Sequence, residues 1–69
     1  MTAYVNKSTL FIEASLPITA LIIYDILGKK LFSEQLKGTF KYEKPFNHAD
    51  EIYIVKIQLD NILPYIFYY

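Results

Sequence analysis

The chain is predicted to be all-β, a small antiparallel β-sandwich of about six strands, and three features predict it. The first is alternation: Tyr53, Val55, Ile57 and Leu59 fall on one parity while Lys56 and Gln58 fall on the other, the period of a pleated strand with one wet face. The second is composition, since the aromatic residues are Tyr and Phe and stand among many Ile and Leu, residues that suit pleated, half-buried surfaces. The third is punctuation, with turn formers closing each apolar run and no stretch that holds a helical period.

Taken in order, strands are expected at Thr9–Ala14, Ala20–Asp25, Lys30–Gln35, Thr39–Lys44, Ile52–Leu59 and Ile62–Tyr68. In the first, Leu10 and Ile12 oppose Thr9, Phe11 and Glu13. The second is apolar on both parities from Leu21 to Tyr24, which suits a central strand covered on both faces. The third leaves a turn in which Asp25 supplies a turn-forming carboxylate, Gly28 tolerates positive φ, and Lys29-Lys30 make a charged exit. In the fourth, Phe40 and Tyr42 oppose Thr39, Lys41 and Glu43. Turns are expected at Leu16-Pro17, Ile26-Leu27-Gly28, Lys37-Gly38, Pro45 to Asp50, and Asp60-Asn61. Leu21, Ile23, Leu31, Tyr53, Val55 and Ile57 are the expected core.

With 69 residues and neither repeats nor linker, the whole of 1–69 reads as one domain that hides roughly 60% of its unfolded surface. The chain has no Cys, so no disulfide framework or thiolate metal site is available. Seven basic and seven acidic side chains cancel, which removes the electrostatic footprint of nucleic-acid binding. The segment Met1 to Lys7 lacks the basic start, apolar run and cleavage site of a signal peptide. Leu16 to Leu27, interrupted by Pro17, Thr19 and Asp25, is too short to span a bilayer. Export would therefore depend on a signal carried elsewhere in a larger protein.

No enzyme is expected from the chemistry-bearing residues. His48 with Asp50 and Glu51 could form a metal or acid/base cluster, yet the segment is rich in turn formers and offers no third anchoring group, so it reads as a solvated loop. Ser8, Ser15 and Ser33 lack a nucleophile elbow. Gly28 and Gly38 are too few to cradle a phosphate, and no cofactor is expected. Tyr24, Phe40, Tyr42 and Tyr53 could form a stacking platform for a sugar or base, but at strand spacing they read as core aromatics or cross-strand pairs.

Two segments carry a resemblance. Ile23-Tyr24-Asp25-Ile26-Leu27-Gly28-Lys29-Lys30-Leu31 and Glu51-Ile52-Tyr53-Ile54-Val55-Lys56-Ile57 resemble, in that order, the paired motifs of the type A C-terminal sorting domain of proteins exported by the type IX secretion system of Bacteroidetes. Leu10-Phe11-Ile12-Glu13, Leu16-Pro17-Ile18-Thr19 and Pro45-Phe46-Asn47-His48-Ala49 also resemble segments of that family, and the likeness runs from Thr9 to Asn61. It implies an Ig-like sandwich at the end of a secreted or surface-anchored cargo, read by the outer-membrane translocon and removed by a sortase-type peptidase. Asp25, Gly28, Lys29, Lys30, Tyr53, Val55 and Lys56 are the protein-recognition residues it implies.

The chain departs from the family pattern at three places. Glu51 stands where the family has Gly, the Asn-Pro element that opens the family domain is absent so that the first strand is expected to be missing or reduced to Ala3-Tyr4-Val5, and Ile62 to Tyr69 lacks the lysine-containing last strand. That uncharged tail is expected either to close the sheet as a buried strand or to leave an edge through which the chain self-associates. The competing reading is an Ig-like structural or adhesive surface module that binds carbohydrate or protein, because a sandwich by itself fixes no function.

Overall fold

Thr2–Asn6 forms β1, and Lys7 and Ser8, at φ 51° and 60°, turn it tightly into β2, Thr9–Asp25. Two successive residues at positive φ make the mirror-image turn that matches the twist of a hairpin, here built from Lys-Ser where Asn-Gly is the usual signal. The structure, a computed structural model, describes residues 1–46 and 52–68. Its other strands are β3, Lys30–Pro45, β4, Tyr53–Leu59, and β5, Tyr65–Tyr68, so the described chain is all-β. All pairings are antiparallel and belong to one sheet.

β2 organises that sheet. β3 runs along one of its sides, while the other side takes β1 opposite Thr9 to Glu13 and β4 opposite Ile18 to Asp25, with β5 outside β4. The expected turns at Leu16-Pro17 and Lys37-Gly38 are corners inside β2 and β3, and the four segments expected around them are halves of two long strands. Pro17 is tolerated because residues 14–17 lie where β1 has ended and β4 has not begun, and they are skipped in the ladder to β3 as well. Opposite it, Gly38 has φ +81°, and a Cβ there would meet the Pro17 side chain at 3.3 Å. An extra residue at Thr19, between the pairs Ile18↔Leu59 and Ala20↔Gln58, is a bulge that switches the inward parity of β2. Thr19 Oγ1 donates to the Gln58 carbonyl at 3.2 Å beside it.

These corners curl the sheet so that its two halves face each other, with a shortest extent of 16 Å. The two ends of β3 meet across the fold: the Lys44 ammonium lies 3.8 Å from the centre of the Phe32 ring, and the Tyr42 hydroxyl donates to Glu34. Between the halves lie Leu10, Ile12, Ile18, Leu21, Ile23, Val55, Ile57 and Leu59, with Phe46 at the margin. Each buried aliphatic side chain contributes about 1.5–3 kcal/mol from removal of its surface from water.

Leu21, Ile23, Val55 and Ile57 occupy the core as expected, and Tyr53 packs against it half-buried. Leu31 does not: Phe32 takes the inward position opposite Ile23, and alternation leaves Leu31 outside and 49% exposed. Phe40 is likewise exposed while Tyr42 packs inward. The tail pairs with β4 through Tyr65 to Tyr68 as an edge strand, with Phe67 packed on the core and Tyr65, Ile66 and Tyr68 exposed. The opening strand, expected to be missing or reduced to Ala3-Tyr4-Val5, is present over Thr2–Asn6.

Candidate functional site

The two segments that carry the resemblance are adjacent strands. Ile22↔Lys56, Ile23↔Val55, Tyr24↔Ile54 and Asp25↔Tyr53 face each other in register, so Lys56 and the turn after Asp25 belong to one surface at one end of the sheet. Of the seven candidate residues, the exposed ones are Gly28, Lys29 and Lys30.

The turn is set by Asp25. Its Oδ1 accepts from the amides of Leu27 at 3.0 Å and Lys29 at 2.8 Å, while its carbonyl accepts from the Gly28 amide at 3.0 Å. The Asp25 amide donates to the Lys29 carbonyl at 2.9 Å, and Gly28 has φ +91°. This is a short hairpin turn whose Asp and Gly are both required by backbone geometry. The Asp25 carboxylate is therefore occupied with its own loop, and the groups the turn offers outward are Lys29, Lys30 and the 91%-exposed Leu27.

On β4, Val55 is fully buried between Ile23 and Phe67, so its contribution is to packing. Tyr53 turns inward as well, its ring 5.1 Å from that of Phe46 in an edge contact. Lys56 points the other way and lies between Ile22 and Ile66 on the outer face. That face also carries Tyr24, Ile54 and Tyr68 in the next row, with Lys30 opposite Tyr24. This apolar row is not among the surfaces expected from the sequence, although the second parity of Ile52-Tyr53-Ile54 signals it.

A second surface lies on the other half of the sheet. Tyr4 and Phe11, paired across β1 and β2, stack at 5.2 Å between ring centres. With Glu13, Lys41 and Glu43 they border a shallow cleft of about 210 Å³. Of the aromatics considered for a stacking platform, Tyr42 and Tyr53 pack on the core, while Tyr24 and Phe40 lie on the outside. His48, Asp50 and Glu51 lie outside the described residues. Among the described residues no cluster of three or more His, Cys, Asp or Glu could hold a metal, and no helix is long and apolar enough to cross a membrane.

No family model, curated protein or solved structure matches the chain.

Proposed function

We propose that the chain is a non-enzymatic sorting module of the type IX secretion kind, which addresses a cargo protein to the outer-membrane translocon by protein recognition. The observation that carries this reading is the register of Ile23 to Asp25 against Tyr53 to Val55, which joins the two motif segments into a single element ending in the Lys29-Lys30 turn. A preformed sheet with an internally braced charged turn suits recognition, because little conformational freedom is lost on docking. A sortase-type peptidase is the second partner of this reading, and the destination of the cargo is the cell surface or the medium. The uncharged edge of β5 gives the isolated chain a further contact, self-association through strand pairing.

The test is a reporter with its own inner-membrane export signal, carrying this chain at its C-terminus in a bacterium that has the type IX machinery. Reporter at the surface or in the medium supports the reading. Periplasmic retention of every form, including one with Glu51→Gly and a rebuilt first strand, contradicts it. Export of the rebuilt form alone identifies a degenerate copy.

The Tyr4–Phe11 stack and its cleft favour one other reading, an adhesive surface module that holds a sugar ring against the aromatic pair. Binding to surface polysaccharide that is lost in Phe11→Ala and unchanged in Lys29→Glu would favour it over sorting.

A further inference from the structure

The outer face of β2, β4 and β5 presents an apolar surface with one cation, Lys56, at its centre and a second, Lys30, at its β3 margin. Lys56 has Ile22 and Ile66 as its cross-strand neighbours, and Tyr24, Ile54 and Tyr68 form the adjoining row. Ile66 and Tyr68 are 55% and 67% exposed, and Leu31, skipped at the register shift of the β2–β3 ladder, is 49% exposed. A contiguous apolar surface fed by three strands is more than the scattered exposed hydrophobics of an ordinary monomer. Lys56 is half-buried within this surface, the exposed Lys30 stands opposite Tyr24 at the margin of the adjoining row, and the remaining polar residues, Ser33 and Gln58, carry no charge.

Charge decides what fits there. A second copy docking face to face about a two-fold axis would bring Lys56 toward its own symmetry mate, and these rows contain no carboxylate to separate them. Desolvating two like charges in one apolar interface is costly. A surface that is apolar and carries a carboxylate at its centre meets every feature of the row, since the acid pairs with Lys56 while its surroundings cover the Ile and Tyr side chains. We infer that this face binds a protein segment with an Asp or Glu set between apolar residues, the carboxylate seated on Lys56. The inference rests on the sorting reading for its partner being a protein, and it names the chemistry by which that partner would be held.

A random peptide library displayed on phage, selected on the full chain, tests it. Enriched peptides are expected to set an acidic residue between apolar ones, and to lose roughly tenfold in affinity with Lys56→Glu, less with Lys56→Gln. Thermal melts confirming that both variants fold keep the comparison one of binding. Three outcomes overturn the inference: no enrichment, enriched peptides without an acid, or peptides that bind Lys56→Glu unchanged. Binding of the chain to phosphatidylglycerol vesicles that Lys56→Glu abolishes, or a dimer that Ile22→Thr dissolves, would also overturn it by giving the face to a lipid surface or a second copy. Selection on the purified chain is independent of export, so a chain that selects acidic peptides but is not exported keeps this surface and loses the sorting reading. The reverse result keeps sorting and loses the surface.

Discussion

Gly38 holds β3 at its corner with φ +81° and with Pro17 against the position a Cβ would take. Gly38→Ala imposes both backbone strain and a 3.3 Å contact, and is expected to destabilise the fold by about 1–3 kcal/mol, read as a lower denaturant midpoint. Gly28 differs, since nothing lies within 4 Å of its missing Cβ, and Gly28→Ala carries the strain of φ +91° alone. Asp25→Ala removes the acceptor for two loop amides and is expected to cost about 1 kcal/mol while leaving the core packing intact. A further residue responds to pH. Burial, followed by the hydrogen bond to Glu34 and that residue's charge, raises the Tyr42 phenol above its usual pKa of 10.0. The folded chain then holds this proton more tightly than the unfolded chain, so the contribution is complete below pH 10.0 and is lost as pH rises past it. Melting temperature should fall over that alkaline range, and Tyr42→Phe should flatten the fall.

At the scale of elements, alternation alone makes the inward residues of β4 and of the first half of β2 legible in the sequence, whereas Leu21 to Tyr24 is apolar on both parities and only the fold sets Leu21 and Ile23 inward and Ile22 and Tyr24 on the outer face. Period two does not report where a strand bends, so Pro17 and Gly38 read as turns although they are the corners of continuous strands. The Lys7-Ser8 turn is illegible for a related reason, since neither residue is a usual choice for positive φ. Leu31 is misassigned to the core because two apolar neighbours, Leu31 and Phe32, compete for one inward position and parity alone does not choose between them. The turn motif is legible in full, since Asp25 and Gly28 do in space what their types suggest. Among the edge strands, β3 carries Lys30, Glu34, Lys37, Lys41, Glu43 and Lys44, whereas neither β1 nor β5 carries a charge, and β5 is in addition wholly apolar and aromatic. Sedimentation at increasing concentration should show association of the isolated chain that Ile66→Lys with Tyr68→Lys suppresses and Ile22→Thr on the outer face leaves unchanged; a monomer persisting at high micromolar concentration would rule it out.

At the scale of the whole molecule, a single curled sheet places its charged turn and its apolar outer row at one end and its Tyr4–Phe11 cleft on the other half. The packed core between them fixes the arrangement, and recognition is a property of the surfaces that remain. The measurement that bears most directly on the sorting reading is the distribution of a reporter carrying this chain in two otherwise identical bacteria, with and without the type IX outer-membrane translocon. Sorting predicts reporter at the surface or in the medium of the first and only in the periplasm of the second, with the export weakened by Lys29→Glu and Lys30→Glu together. The same distribution in both strains would contradict it.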